Sequence, residues 1–256
     1  MPARWITLLT LVVLAASCGR AADKPALTIC SGAGLIKPIE ELRAAFERQR
    51  GVSVVASYAG VGELMARMGL EQRCDVFVPG AREYVEEAES RGWIRSGTTR
   101  DLVLHVPAIA VPRDNPARIE ELDDLAGPGV EVAIGDPSAC AIGRAATAIF
   151  ERNGMGHAMQ GNTKVMTPTV NQLLIYVALG EVDAAIVWQD VVAWAAQQER
   201  ITLIEIPREQ NEITTISTGV AAHSENAELA RELNDFMGSP EGRRIWERWG
   251  FTAHTD

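Results

Sequence analysis

The sequence lacks the short motifs that mark the common hydrolases, metalloproteases and nucleotide-binding enzymes. Its 256 residues contain no G-x-S-x-G elbow, no H-E-x-x-H pair, no Walker A loop and no complete G-x-G-x-x-G. The four histidines, His105, His157, His223 and His254, are scattered along the chain, and none belongs to a recognisable motif that also carries a nucleophile. We therefore expect a protein that is not an enzyme and that needs no cofactor.

Cysteine is scarce, and no two cysteines have the C-x-x-C spacing of a structural zinc site. Apart from Cys18 the chain has Cys30, Cys74 and Cys140, an odd number that allows one disulfide at most. The simplest interpretation is that these three side chains act as small buried hydrophobes.

Positive charge is not clustered anywhere, and the formal net charge is −10 at pH 7. A nucleic-acid partner requires basic side chains that neutralise phosphates, so we expect no such partner. The acidic balance does not exclude a small anionic ligand, because neutral backbone N–H groups can hold one.

Long hydrophobic runs are also missing. The apolar run over residues 5–16 is shorter than the roughly 20 residues of a membrane-spanning helix. It follows Arg4 and precedes Ser17 and Cys18, which is the pattern of a secretion signal. Residues 14–18 (LAASC) resemble a bacterial lipobox, so we expect a signal peptide over 1–17, a lipidated Cys18 and a tether over 18–26. Ordinary cleavage nearby is the alternative.

From residue 27 onward, apolar runs of strand length alternate with amphipathic segments of helix length. This alternation predicts an α/β fold with mainly parallel sheets. The predicted strands are 27–30, 52–58, 75–78, 130–134, 183–188, 201–206 and 216–222. The predicted helices are 37–49, a segment around Leu64 and Met68, 82–90, 120–125, 143–152, 170–179, 191–197, 228–237 and 240–249. Residues 155–164 are predicted to be a polar loop, and 102–112 to cross between lobes.

The segment 132–144 (VAIGDPSACAIGR) carries the clearest sign of a binding site. An apolar run, a Gly-Asp-Pro turn and a helical pattern predict a strand that leads through a tight turn into a helix. The first N–H groups of such a helix are unpaired and lie at the positive end of its dipole, which favours an anion.

Six segments carry a resemblance to a known family. They are LTICSGAGL, VVASYAGVGELM, CDVFVPGA, VAIGDPSACAIGRAA, TPTVNQLLIYVALGEVDAAIVW and RRIWERWGF. In their order and spacing, over residues 27–251, the chain resembles the periplasmic molybdate-binding proteins of ABC importers, which are two-lobe solute-binding proteins. In that family a tetrahedral oxyanion lies between the lobes, where backbone N–H groups and a few hydroxyls hold it.

The resemblance implies a two-lobe periplasmic-binding-protein fold with a ligand cleft between the lobes. It places residues 27–106 in lobe 1 and 107–213 in lobe 2, with 214–256 returning to lobe 1. It also implies a monomer in the periplasm or on the outer face of the cytoplasmic membrane, attached to the membrane only by its lipid. The permease and the ATPase would be separate chains, and the ligand a small oxyanion such as molybdate or tungstate.

The resemblance also implies a set of ligand-binding residues at four strand-to-helix junctions and one further strand end. They are Ser31, Gly32 and Gly34; Gly60, Val61 and Gly62; Cys140, Ile142 and Gly143; Val170 and Asn171; and Trp188. Gly34 and Val61 match serines of the family, and Trp188 matches a tyrosine, so three hydroxyls are replaced. A bulky residue at Gly143 is expected to abolish binding and to leave folding largely intact.

A second hypothesis uses the cysteines. Cys30 and Cys140 could approach each other across the cleft and bind a soft or transition metal together with Glu63 or Asp190. The same two thiols could instead form a disulfide that limits opening. Glu63 is equally explained as a first-turn residue favoured by a helix dipole.

Overall fold

The structure is a computed structural model, and it describes residues 26–70, 73–195 and 198–253. The predicted signal peptide, Cys18 and the tether up to residue 25 lie outside the described residues. Within the described part, no helix has both the length and the apolar character that crossing a bilayer requires.

The strands, in chain order, are β1 (Ala26–Gly32), β2 (Ser53–Ala59), β3 (Val76–Val78), β4 (Arg100–His105), β5 (Pro107–Pro112), β6 (Val132–Gly135), β7 (Thr163–Thr167), β8 (Ala184–Trp188), β9 (Ile201–Glu205), β10 (Thr214–Val220) and β11 (Thr252–Ala253). The α-helices are α1 (Ile36–Arg50), α2 (Val61–Leu70), α3 (Arg82–Ser90), α4 (Ala141–Arg152), α5 (Gly156–Asn162), α6 (Val170–Leu179), α7 (Gln189–Trp194), α8 (Ala227–Met237) and α9 (Pro240–Arg248). Short 3-10 turns lie at Ala33–Leu35, Leu122–Ala126 and Gln198–Arg200.

These strands form two sheets, each the centre of one lobe. Lobe 1 is built on a six-stranded sheet with the order β11-β4-β10-β3-β1-β2. Lobe 2 is built on a five-stranded sheet with the order β7-β6-β8-β5-β9. The predicted two-lobe α/β class is therefore confirmed.

The sheets are mixed, which corrects the expectation that they are mainly parallel. The strands joined through helices are parallel: β1 to β2 and β3, and β6 to β7 and β8. The strands that enter or leave a crossing between the lobes, β4, β5, β9 and β10, pair antiparallel with their neighbours. A βαβ unit requires parallel pairing, whereas a chain that crosses and returns reverses its direction.

The chain passes between the lobes twice. Residues 102–112, predicted as one crossing segment, are divided between β4 of one sheet and β5 of the other, and Val106 alone joins them. The return lies between β9 and β10. Asn211 in the return is buried, and its Nδ2 donates to the Pro107 carbonyl at 2.9 Å, so the two crossings are tied together.

Each lobe has its own apolar core. In lobe 2 every residue of β6 and β8 is buried, as expected for parallel strands covered by helices on both faces. In lobe 1 the C-terminal segment packs Trp246 and Phe251 into the core, edge to face at 5.1 Å. Gly51 and Gly180 end α1 and α6 in the left-handed conformation that glycine adopts without strain.

Three local predictions are wrong. Residues 155–164 are not a loop, because they contain α5 and the first residues of the edge strand β7. The helix predicted at 120–125 is a 3-10 turn at Leu122–Ala126. The helix predicted at 191–197 begins and ends earlier, at Gln189–Trp194.

Candidate ligand-binding cleft

A cavity of about 30 Å³ lies between the two lobes and is called the interlobe cavity below. It is lined by the ends of strands and the starts of helices from both sheets. The lining residues are Gly32, Ala33, Gly34, Leu35, Ala59, Gly60, Val61, Pro79, Gly80, His105, Cys140, Ala141, Pro168, Thr169, Val170 and Trp188. Among these there is no acidic residue, lysine or arginine, so neutral groups and one histidine make the wall.

The predicted ligand-binding residues divide into two groups. Those that line the interlobe cavity are Gly32, Gly34, Gly60, Val61, Cys140, Val170 and Trp188. Those beside it but outside the lining are Ser31, Gly62, Ile142, Gly143 and Asn171. All four predicted junctions therefore meet at one place, although in each of them only some of the predicted residues line the cavity.

Two of the helices that open onto the cavity have no side-chain cap. Cys140 stands before α4 and Thr169 before α6, and neither side chain caps its helix. The first N–H groups of a helix have no partner within the helix. At the start of α4 the Gly143 N–H donates to the Cys140 carbonyl at 3.0 Å, and the N–H groups of Ile142 and Val170 act to lower the pKa of the Cys140 thiol. Two helix N-termini thus converge on one wall of the cavity.

The Cys140 thiol is buried at this convergence. Burial raises its pKa to about 11, and the three N–H groups lower it by less than burial raises it. The thiol is therefore neutral at pH 7. It lines the cavity at the starts of α4 and α6, where an oxygen of an anion would also be stabilised.

Lobe-to-lobe contacts close around the cavity. A Cβ on Gly60 would lie 2.7 Å from the Ala139 carbonyl oxygen, and one on Gly62 would lie 2.7 Å from that of Ser138. The Gly62 N–H donates to the Ala139 carbonyl at 3.2 Å. Asn171 Nδ2 donates to the Ala33 carbonyl at 3.1 Å. Gly62 and Asn171 thus hold the lobes together in this structure.

No side chain of the first junction replaces the serine hydroxyl that the resemblance implies at residue 34. A Cβ on Gly34 would lie 3.1 Å from Val170 Cγ1 and 3.5 Å from Val191 Cγ2, so lobe 2 fills the space of a side chain there. Ser31 is fully buried outside the cavity lining, and its hydroxyl lies 3.4 Å from the Gly32 carbonyl as donor. Ser31 is therefore placed as part of the lobe 1 sheet rather than as a replacement for the missing serine.

Gly143 has a packing role that corrects the expectation made for it. A Cβ there would lie 2.3 Å from the carbonyl oxygen of Gly135, well inside any real contact. The glycine lets the first turn of α4 lie directly on the end of β6. A bulky residue at this position must displace the helix, so folding would not be left intact.

His105 belongs to the site and was missed by the sequence analysis. It ends β4, is 1% exposed and lines the cavity. Its ring stacks on Trp188 with 3.6 Å between centroids. Its Nδ1 lies 2.9 Å from the Gly80 carbonyl oxygen, and its Nε2 lies 3.3 Å from Asp190 Oδ1. A polar residue at the end of an apolar strand, next to the lobe crossing, was the available signal.

The residues of the metal hypothesis are not brought together. Glu63 is exposed and pairs with Arg67 at 2.5 Å, Cys30 is buried in lobe 1, and Asp190 packs behind His105. In the described ranges, no group of three or more His, Cys, Asp or Glu side chains is placed to hold a metal ion.

The cysteines also do not form the disulfide that was the alternative to metal binding. Cys30, Cys74 and Cys140 are free and buried. Cys30 belongs to a core cluster of lobe 1 that also contains Cys74, whereas Cys140 belongs to the core of lobe 2. Burial, and next the neighbouring Cys30 thiol, raise the pKa of Cys74 well above its ordinary value.

Two α/β lobes around a small cavity at helix N-termini are the architecture of a two-lobe binding protein. The chain belongs to the family of bacterial extracellular solute-binding proteins, whose model matches residues 27–252. It is 31% identical, over 94% of its length and 96% of the relative's, to a protein of Haemophilus influenzae named only as a binding protein.

Solved structures share the fold at lower identity. The periplasmic molybdate-binding protein of Azotobacter vinelandii has a TM-score of 0.77 at 19% identity, over 90% of this chain and all of that one. The sulfate-binding protein SubI of Mycobacterium tuberculosis has a TM-score of 0.78 at 17% identity, over 89% of this chain and 86% of that one. These likenesses establish the fold.

Proposed function

We propose that this chain is the solute-binding subunit of an ABC importer and that it captures a tetrahedral oxyanion, molybdate or tungstate, between its lobes. One observation carries the proposal: uncapped first turns of α4 and α6 converge on a cavity that lobe 1 closes from the other side. Unpaired N–H groups and helix dipoles stabilise an anion there without a formal countercharge.

The composition of the wall supports an anion over a cation. A cation needs carboxylates, carbonyl oxygens or thiolates, and the lining has no acidic residue, while its thiol is neutral at pH 7. Asp190 is buried behind His105 and is not part of the lining. The anion would therefore meet donors rather than negative charge.

The size of the cavity supports a compact ligand. A volume of about 30 Å³ is small beside the several hundred Å³ of sites for drug-sized molecules. An ion of five heavy atoms needs only a modest opening of the lobes, a smaller one than a sugar or a peptide would need. Two of the structural relatives, the molybdate-binding protein and SubI, are named for ions of this size.

Delivery of the bound oxyanion to the permease depends on movement of the two lobes relative to each other. We assign residues 27–106 and 214–256 to one moving unit and 107–213 to the other, with hinges at Val106 and in the return. Such hinge bending closes binding proteins over their ligands. The permease and the ATPase are separate chains, and the monomer is exported by residues 1–17 and anchored through Cys18.

Thermal unfolding with a panel of ions tests the proposal. Protein lacking residues 1–18 is titrated with molybdate, tungstate, sulfate, phosphate and, as cations, Cu²⁺ and Zn²⁺. A ligand at about 1,000 times its Kd adds about 4 kcal/mol, which raises Tm by roughly 8–16 °C at this size. A rise with molybdate or tungstate supports the proposal. If sulfate or phosphate alone raises Tm, that ion is the ligand and the assignment of molybdate or tungstate is wrong. If only the cations raise Tm, the ligand is not an oxyanion.

A further inference from the structure

His105 lies where the interlobe cavity meets the hinge, and its surroundings are fully defined. Gly80 of lobe 1 and Asp190 of α7 lie at its two ring nitrogens, at 2.9 and 3.3 Å. Trp188 covers one face, and Phe251 lies 5.8 Å away between centroids. Asp190 is 4% exposed and is the one charged side chain that these contacts bring to the ring.

The contacts of the His105 ring determine how many protons the ring and the Asp190 carboxyl group hold together. A carbonyl oxygen only accepts, so Nδ1 must carry a proton that it donates to Gly80. Nε2 then faces the Asp190 carboxylate, and without a proton between them two lone pairs would oppose each other. The pair therefore holds a second proton, either on Nε2 as an imidazolium or on the carboxyl group.

The position of the pair decides between these two forms when an anion is present. His105 lines the cavity and Asp190 does not, so the imidazolium lies between the ligand and the carboxylate. An opposite charge nearby favours the charged form of a group. An anion in the cavity and a carboxylate behind the ring both favour protonation of Nε2.

A second observation is that the pair leaves two buried polar atoms without a hydrogen-bond partner in the described part of the chain. Both Nε2 of His105 and Oδ2 of Asp190 are buried without a hydrogen bond of good geometry among the described residues. Unpartnered polar atoms are costly in a protein interior, and where they persist they commonly serve a site. Cys140, the other titratable residue of the cavity wall, stays neutral and does not compete for the proton.

We propose that His105, oriented by Gly80 and Asp190, is an imidazolium in the anion-bound protein and supplies the positive charge of the ligand site. This rests on the proposed function, because it concerns the same cavity and an anionic ligand. It adds a charged residue to a site whose other donors are neutral. The charge compensates for the hydroxyls that Gly34, Val61 and Trp188 do not provide.

Two substitutions test the charge with little change of shape. Asp190→Asn keeps the size of the side chain, and its amide N–H can donate to a neutral Nε2, so the ring is satisfied without charge. His105→Asn keeps an N–H that reaches the Gly80 carbonyl and removes the charge. We expect each to weaken binding of the oxyanion that stabilises the wild type by tenfold or more in Kd, measured by calorimetry. His157→Asn, at an exposed position in lobe 2, is the matched control and should bind as the wild type does.

Long-range ¹H–¹⁵N spectra of the histidine rings provide a second readout, which is taken on the wild type itself. In the anion-bound wild type, the signals absent from His105→Asn should show protons on both ring nitrogens. A ring with one unprotonated nitrogen overturns the proposal. So do Asp190→Asn and His105→Asn proteins that fold and bind with unchanged Kd, in which case the oxyanion function stands. A wild type that binds none of the oxyanions overturns the proposed function itself and the role of His105 with it.

Discussion

Gly60 of lobe 1 and Pro168 of lobe 2 touch backbone to backbone, so that a Cβ on residue 60 would lie 2.5 Å from the Pro168 carbonyl oxygen. The contact forms only when the lobes are together, because Gly60 follows β2 of one sheet and Pro168 follows β7 of the other. Glycine at residue 60 is therefore a requirement of the closed form rather than of either lobe.

Gly60→Ala should weaken ligand binding and leave the lobes folded. Overpacking of this kind costs about 1–3 kcal/mol, and here it destabilises only the closed form. Because the ligand binds to the closed form, the affinity falls by roughly 5- to 150-fold. Calorimetric Kd and the Tm of the ligand-free protein measure the two effects. Gly161→Ala is the control, because a Cβ there meets nothing within 4 Å. Unchanged affinity in Gly60→Ala would show that the closed contact does not accompany binding.

Gly143→Ala should instead destabilise the fold. Its Cβ would meet the Gly135 carbonyl inside lobe 2, at the contact of α4 with β6, whether the lobes are open or closed. We expect the free energy of unfolding to fall by about 1–3 kcal/mol or more, measured in urea. Gly156→Ala has open space around its Cβ and should be neutral or slightly stabilising. A Gly143→Ala protein of wild-type stability would contradict the packing role.

The alternation of strand and helix patterns was sufficient for the α/β class because it is local, and the two-lobe arrangement came from the resemblance to a family. The alternation failed at 155–164, where a seven-residue helix with two glycines has little intrinsic preference for helix. Contacts distant in sequence stabilise that helix: Met159 is buried, and Asn162 Nδ2 donates to the carbonyls of Leu125 and Gly127, both at 2.8 Å.

The site was predictable to the extent that it consists of local turns. The four junctions carry recognisable strand-to-helix patterns, and all four contribute to the cavity wall. His105 and Asp190 are far apart in the chain and come from different lobes, so no local pattern pairs them. No local pattern predicts which strands pair parallel and which antiparallel either, because the pairing depends on where the chain crosses between the lobes.

Cys18→Ala should release the protein from the membrane. A lipidated N-terminal cysteine is the only anchor that we propose, so without it the processed chain has nothing to retain it. Fractionation of bacteria expressing the chain, together with the intact mass of the mature protein, checks this. Cys74→Ala removes a buried thiol in lobe 1 and should fractionate as the wild type does. A wild-type mass that lacks a lipid would favour ordinary cleavage instead.

Cys140 should react slowly with iodoacetamide, and more slowly still with ligand bound. Only the thiolate reacts, and with a pKa of about 11 the thiolate fraction at pH 8 is about one in a thousand. The labelling rate should therefore rise about tenfold per pH unit between about pH 8 and 10. Because Cys140 lines the cavity, a bound oxyanion should protect it, whereas Cys74, buried elsewhere in lobe 1, should not be protected.

The same burial makes stability depend on pH. The neutral thiol is favoured in the folded state, since its pKa is raised there from 9.0 to about 11. This contribution, on the order of 2 kcal/mol, is complete below about pH 9 and is lost as pH rises towards 11. Burial raises the pKa values of Cys74, Tyr58 and Tyr84 as well, so their contributions are lost in the same direction.

Cys140→Ser separates the contribution of this thiol from the others. Serine does not titrate below pH 11, so the variant should lose less stability than the wild type between about pH 8 and 10.5, with both measured by urea unfolding at each pH. The remaining loss in the variant reports Cys74 and the tyrosines. Parallel curves for the two proteins would mean that the thiol is ionised as easily in the folded chain as in the unfolded one. In that case Cys140 would present a thiolate to the cavity at high pH, and the bound oxyanion would be displaced as the pH is raised.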